Sequence, residues 1–416
     1  MICKILYIVF LYTNLVISQI VFSKEIVVCY DCNIRSISEA IMQSSDGDKI
    51  IVRKGIYKEN NLVIDKTIEI YGEDFPVIDL EYKYQGFIVR KNNVKISGVA
   101  VRNISVNYMN DLSGIKIENS ADCVIENNIL TDTFFAIYLS NSSHIIIKNN
   151  KIYGQAKTES SSGNGIHIWK CNNINIADNE ISGHRDGIYF EFVIKTFITG
   201  NFSHNNLRYG LHFMFSDSNS YRNNTFRENG AGVAVMYTKN IEMTGNRFED
   251  NWGTASYGIL LKDISRSTIK RNLFCKNTTG IYMEGSDLIN IEENEFIENG
   301  WATKILGNCI NNKFTKNNFI DNTFDVSSNS RRNENLYSGN YWDKYNGYDI
   351  DKDKTGDVPY RPVSLYSMIV EKIPESIIML RSFLVDLIDI TEKAIPVLIP
   401  ETLIDDFPKM ELNKYD

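Results

Sequence analysis

Between about residue 90 and residue 335, apolar side chains recur in short alternating runs such as Ile145-Ile146-Ile147-Lys148, each closed by a polar corner. The recurring unit is apolar-x-x-Asn-x-apolar. Its asparagine falls at Asn128, Asn150, Asn179, Asn201, Asn224, Asn246, Asn272, Asn294 and Asn317, in steps of 22, 29, 22, 23, 22, 26, 22 and 23. A second marker, Gly or Ala followed by an aliphatic residue, falls at Gly114, Ala136, Gly165, Gly187, Gly210, Gly232, Gly258 and Gly280, in step with the first. Period-two alternation inside a repeat of near 22 residues, with asparagine at a fixed corner, predicts one coil of a solenoid per repeat. A leucine-rich repeat has a similar period but needs a leucine framework that is absent here. The expected fold class is all-β: a right-handed parallel β-helix.

Both long steps arise between an asparagine and the next glycine. Gln155–Asn164 and Asn251–Tyr257 therefore bulge from one corner of the solenoid, and insertions on one side mark a working surface. Open strand edges at the ends need covers. Apolar residues at Ile34, Ile37, Ala40 and Ile41 have helical spacing and suit an N-terminal cap helix. After Asn340 the repeat stops, and Ser364–Glu411 carries apolar residues at helical spacing, divided by prolines into short helices. The expected organisation is an exported leader over 1–23, a β-helix over 24–362 and a helical tail over 363–416. The tail is more apolar than a cap requires: Ile378, Met379 and Val385 lie off its main stripe, which suggests a docking element for a membrane permease. The leader is apolar from Ile5 to Val21 after Lys4; a retained anchor is the alternative to cleavage, and no later segment has the length or apolarity of a span.

Alternation separates inside from outside. Residues one and three after each glycine are aliphatic or aromatic and face the core, as in Ile166/Ile168 and Leu211/Phe213. Residues two and four face out: His167/Trp169, Tyr189/Glu191, His212/Met214, Ala234/Met236. Stacked coils place His167 and His212 two rungs apart, Glu191 between Trp169 and Met214, and Met214 beside Met236. Exposed sheet positions ordinarily carry Thr, Lys or Ser, so this stripe fits three uses: an apolar patch covered by the loops, a partner-binding face, or a soft-cation site for Cu(I). The turns before two of these strands hold His184-Arg185-Asp186 and Arg208. Arg185 and Arg208 stack on neighbouring coils, where like charges need an anion or a carboxylate such as Asp186.

Composition narrows the function classes. The chain of 416 residues has 52 acidic against 44 basic side chains, which argues against a nucleic-acid partner. The fold often serves polysaccharide chemistry, but hydrolysis needs a carboxylate pair on one face, and no acidic pair recurs along the stripe. No catalytic residue is expected. Cys29 and Cys32 suit a small disulfide, a redox pair or soft-metal ligands. Asp349, Asp351, Asp353 and Asp357 alternate as in calcium loops, yet Tyr360 stands where a bidentate Glu would close one, so calcium and a plain Asx-rich turn both fit.

The stretches GIHIWKC from Gly165, GHRDGIYFEF from Gly183, NLRYGLHFMFS from Asn206, NGAGVAVMY from Asn229, NYWDKYNGYD from Asn340 and GDVPYRPVSLYSMIVEK from Gly356 resemble the NosD family of nitrous oxide reductase maturation proteins. The resemblance runs from about residue 34 to about residue 408. It implies a non-enzymatic periplasmic accessory factor working with an ABC permease and its ATPase. It also implies a role in copper-sulfur cluster assembly in the reductase, with copper received from a lipoprotein chaperone and held transiently. A sulfur-species or carbohydrate-binding periplasmic module coupled to the same type of transporter is the alternative. The resemblance raises metal or partner binding on the His/Met stripe above a merely covered patch.

Overall fold

The computed structural model describes residues 23–106, 111–330, 334–394 and 403–415; the expected leader, apart from Ser23, lies outside them. The chain winds as a right-handed parallel β-solenoid of about 14 turns. Sheet A has 14 strands from Glu25–Val28 to Leu336–Ser338, sheet B has 13 from Ile56–Tyr57 to Tyr341–Trp342, and sheet C has 12 from Leu62–Ile64 to Phe324–Ser328. From Lys49 to Ser328 each coil contributes one strand to each sheet, and register is parallel throughout, as in Val124↔Ile146, Ile125↔Ile147 and Glu126↔Lys148. Because side chains alternate, every coil delivers its aliphatic or aromatic residues to the interior, where like stacks on like. Phe248, Phe274, Phe296 and Phe319 stack at 4.8 Å, and Trp342 closes the column at 4.0 Å.

The predicted asparagines form one continuous buried ladder at the corner between sheets A and B. Asn246 is representative: its Nδ2 donates to Asn272 Oδ1 and to Tyr221 O, and its Oδ1 accepts from the backbone N and Nδ2 of Asn224, all at 3.0 Å. The residue before each rung is left-handed, as at Asn127 (φ 55°) and Gly245 (φ 66°), which favours Asn, Asp or Gly there, although Arg271, Glu293 and Lys316 adopt the same conformation in the later coils. The ladder runs on to Asn340, whose N and Nδ2 donate to Asp405 Oδ2. The glycine column has its own cause. A Cβ on Gly187, Gly210 or Gly232 would lie 2.5–2.7 Å from the carbonyl oxygen of the next glycine down.

A second ladder, unread in the sequence, occupies the corner between sheets B and C: Asn206, Asn229, Asn251, Asn277, Asn299 and Asn322, each backbone N–H donating to the next side chain. His184 takes the rung above Asn206, donating its N–H to Asn206 Oδ1. Both insertions leave from this corner. The first, between strands Lys151–Gly154 and Ile166–Trp169, includes a short 3₁₀ turn at Glu159–Ser161; the second lies between Arg247–Glu249 and Tyr257–Lys262.

The N-terminal cap helix is Ile37–Gln43, capped by Ser36 Oγ on Glu39 N, with Ile37, Ala40 and Ile41 buried. At the other end, helices Leu365–Lys372 and Phe383–Ala394 flank a 3₁₀ turn at Pro374–Met379. One correction falls here. Val385 is buried with Trp301, Phe324, Tyr366 and Val370, and Met379 is half-buried against the same cluster, because the helix containing Val385 turns that side toward the last strands of sheet C. Ile378 is 88% exposed, and Ile377, Phe383, Leu384, Leu387 and Ile390 of the same tail are exposed as well. Residues 403–415 then return to the solenoid, where Asp405 also accepts from Trp342 Nε1. No helix among the described residues is long and apolar enough to cross a membrane.

Candidate functional site

The outer face of sheet C carries the stripe in the predicted register: His167↔Tyr189↔His212↔Ala234, and beside it Trp169↔Glu191↔Met214↔Met236. It is a stacked face rather than an open row. Tyr138 stacks on His167 at 4.8 Å, His167 lies 4.8 Å from Tyr189, and Tyr189 lies 5.1 Å from His212. Trp169, Glu191, Met214 and Met236 are half-buried, and Lys170 sits over the Trp169 ring at 4.3 Å. Tyr189 separates the two imidazoles, so His167 and His212 cannot share one metal ion, whose ring nitrogens would have to lie within about 2.1 Å of it. The six predicted residues share a face but not a coordination sphere.

His212 departs from the expected outward exposure. It is 4% exposed, with Tyr209 at 4.8 Å and Arg208 Nη2 3.4 Å from its Nδ1. Its Nδ1 also lies 3.4 Å from Asp186 Oδ2, while its Nε2 is buried without a hydrogen-bond partner. Asp186 itself is fully buried. Arg185 and Arg208 approach it through Nε at 3.6 and 3.5 Å, so the expected ion-pair cluster exists around one carboxylate. His184, expected in a polar turn, is also buried, with Nε2 2.7 Å from Thr133 Oγ1. Burial pushes its pKa down to about 4; burial first, and then Arg185, push that of His167 down to about 3. Burial likewise drives the Tyr189 hydroxyl up to about 12. Asn164 Nδ2, from the first insertion, donates to His167 Nδ1 at 3.0 Å. The same insertion borders a cavity of about 240 Å³ lined by Thr133, Phe134, Lys157, Ser162 and His184.

The remaining candidates resolve separately. Cys29 and Cys32 form a disulfide, so in this state they are not metal ligands. Cys123, Cys171 and Cys309 are buried rungs; Cys171 Sγ accepts from Ser142 N at 3.4 Å. Asp349, Asp351 and Asp353 do converge, but their oxygens accept backbone N–H groups of the same loop, and Asp357 accepts from Ile350 N. That is the pattern of linked Asx turns. On the histidine face, no three His, Cys, Asp or Glu ligand atoms gather among the described residues.

Fold and site together define a right-handed parallel β-helix with one histidine, aromatic and thioether face beside a buried arginine-carboxylate cluster. Known solenoids share the architecture. The Dettilon tailspike aligns at TM-score 0.53 and 14% identity over 72% of this chain and 63% of its own. An α-1,3-glucanase catalytic unit from Streptomyces thermodiastaticus aligns at 0.59 and 11% over 74% and 65%, and the A-module of mannuronan C-5 epimerase AlgE6 from Azotobacter vinelandii at 0.51 and 12% over 73% and 92%. At these identities the likeness is one of fold alone.

The family is narrower. Residues 149–347 match the model of the family described as periplasmic copper-binding protein (NosD), and residues 85–191 match that of the right-handed β-helix region. Two relatives, each described as a probable ABC transporter binding protein NosD, align along most of the chain. The one from Stutzerimonas stutzeri is 24% identical over 374 residues, 85% of each chain; the one from Pseudomonas aeruginosa is 27% identical over 371 residues, 85% of this chain and 86% of its own. Both comparisons bear out the NosD resemblance carried by the sequence motifs.

Proposed function

We propose that the protein is a non-enzymatic periplasmic accessory factor that works with an ABC transporter in assembling the copper-sulfur centre of nitrous oxide reductase. In this reading copper is cargo, received from a lipoprotein chaperone and passed on at the sheet C face, which also meets the apo-reductase. The observation that carries it is His212. A carboxylate on one ring nitrogen is how metal-binding imidazoles are oriented, and here Asp186 faces Nδ1 while Nε2 is buried and unpartnered. Met214, two residues on along the same face, pairs with Met236 on the next coil, supplying thioethers of the kind Cu(I) favours. The NosD match supports the same use. Tyr189 keeps His167 out of that sphere, so His167 serves the client surface.

The exposed apolar residues of the helical tail, Ile378 foremost, are the proposed contact to the permease. The test of the copper reading is an anaerobic Cu(I) titration of the leader-free protein against a chromophoric chelator. The wild type should withdraw copper from the chelator, and His212→Ala/Met214→Ala should withdraw at least about tenfold less, which corresponds to about 1.4 kcal/mol. Equal competition by the two proteins would refute a role for this face in holding copper.

A further inference from the structure

We propose that Arg185 and Arg208 form a binding site for a small oxyanion at the corner between sheets B and C, next to the histidine face. This goes beyond the copper reading and does not depend on it. The backbones of the two arginines stack on consecutive coils, Arg208 N donating to Arg185 O at 2.8 Å, and both guanidinium groups reach the same buried carboxylate, so the fold brings two positive charges to one place. The carboxylate that makes ion pairs with them is Asp186, and it serves both at 3.5–3.6 Å and His212 at 3.4 Å. Charge-assisted hydrogen bonds close to about 2.7–2.9 Å, so these contacts are loose. Arg185 Nε, a buried donor, has no hydrogen-bond partner. Buried polar groups left in that condition ordinarily mark a water, an ion or a ligand.

The charge count points to an anion. His167 and His184 are neutral under ordinary conditions, and among the described residues the two guanidinium charges share one ion-pair partner, Asp186. Glu191, and Glu159 exposed on the first insertion, lie beyond ion-pair reach of either arginine. The side chains of Arg185 and Arg208 are 31% and 30% exposed, and among the described residues the Arg185 side chain donates no hydrogen bond. Its terminal N–H groups are therefore free to face a ligand from outside while Asp186 holds it from beneath. Tyr209, 4.6 Å from the Arg208 guanidinium carbon, supports the second fork by a cation–π contact. The insertions rise on either side, one leaving the coil before Arg185 and the other following Asn251.

Two planar forks match an anion that offers two or more oxygens, a carboxylate or a tetrahedral oxyanion, better than a halide, which accepts at a single point. The experiment is isothermal titration of the leader-free chain with sodium acetate and, separately, sodium sulfate, in chloride buffers of matched ionic strength. Saturable binding is expected for at least one; tighter acetate binding assigns a carboxylate, and tighter sulfate binding a tetrahedral oxyanion. Arg208→Gln and Arg185→Gln should each weaken it about tenfold or more. Arg208→Lys, which keeps the charge at this half-buried position, should also weaken it by removing the fork. Absence of saturable binding of either anion to the wild type, or wild-type binding in all three variants with an unchanged β-sheet circular dichroism spectrum, would overturn the proposal.

Discussion

Replacing Asn246 with alanine tests whether the asparagine ladder holds the coils together or merely decorates a fold held by its apolar columns. The side chain is fully buried and makes four hydrogen bonds at 3.0 Å, two to Asn224 and one each to Asn272 and Tyr221. Alanine leaves the buried Asn224 N–H without its acceptor and removes the side-chain donations to Asn272 and Tyr221, while Asn272 Oδ1 keeps its bond from the backbone N of residue 246. A net hydrogen bond is worth about 1 kcal/mol and an orphaned buried group costs about 1–3 kcal/mol, so the loss should be about 3–5 kcal/mol. Asn246→Asp separates shape from chemistry. It keeps the acceptor toward Asn224 but removes both donations and buries a charge, so it should be no better than alanine. The assay is guanidinium unfolding of the leader-free chain followed by circular dichroism, with both midpoints expected well below that of the wild type. A loss under about 1 kcal/mol for alanine, or an aspartate variant of wild-type stability, would refute the ladder as a stabilising element.

The buried titratable groups give two predictions of opposite sign. His184 has its pKa pushed down to about 4 by burial, so the unfolded chain takes up its proton first, and the stability this residue contributes above its ordinary pKa of about 6.5 is lost as pH falls toward 4. The effect is about 3 kcal/mol, and His184→Asn should flatten the acid limb of a melting-temperature profile. Asp325, fully buried with Lys344 Nζ 3.3 Å away, is raised to about 6, chiefly by burial, so the folded state holds its proton more tightly and stability falls as pH rises from about 4 to about 6. Asp325→Asn should raise the melting temperature above pH 6 and leave it little changed near pH 4. In the tail, Ile378→Asp should lower copurification with the permease without loss of stability, whereas Val385→Asp should lower stability by about 3 kcal/mol or more, because Val385 is core.

Register, the corner of the insertions and the outward stripe were legible because each repeats, whereas the coils before residue 90 lack the repeated asparagine and were not countable. One asparagine at a fixed offset can be counted, and period-two alternation assigns Ile166 and Ile168 inward once the coil is known. The second ladder was legible in principle, since Asn206, Asn229, Asn251, Asn277, Asn299 and Asn322 keep the same steps, but its rungs sit beside variable loops and the pattern of flanking apolar residues is weaker. The burial of His212 could not be read from alternation. Facing out of a sheet says nothing of what the neighbouring turn folds over it, and here Arg208 and Tyr209 cover the ring. Val385 misled for a related reason: helical spacing defines stripes on a helix but not which stripe meets the solenoid.

The regularity of the solenoid is also what makes its departures informative. At the B–C corner the rungs from Asn206 to Asn322 satisfy one another, and the rung above them is His184, which passes its side chain to Thr133 instead of continuing the amide chain. At that interruption the first insertion leaves the solenoid and the arginines stack. Of the fourteen buried side-chain atoms without a hydrogen-bond partner in the described residues, five lie in this neighbourhood: Asn164 Oδ1, His184 Nδ1, Arg185 Nε, Asp186 Oδ1 and His212 Nε2. A fold able to pair the asparagines of its A–B ladder from Asn128 to Asn340 leaves five polar atoms unpaired in this one place, at about 1–3 kcal/mol each. On the two proposals, copper at His212 and an oxyanion at Arg185 and Arg208 would draw on different members of the same unpaired set, His212 Nε2 and Arg185 Nε.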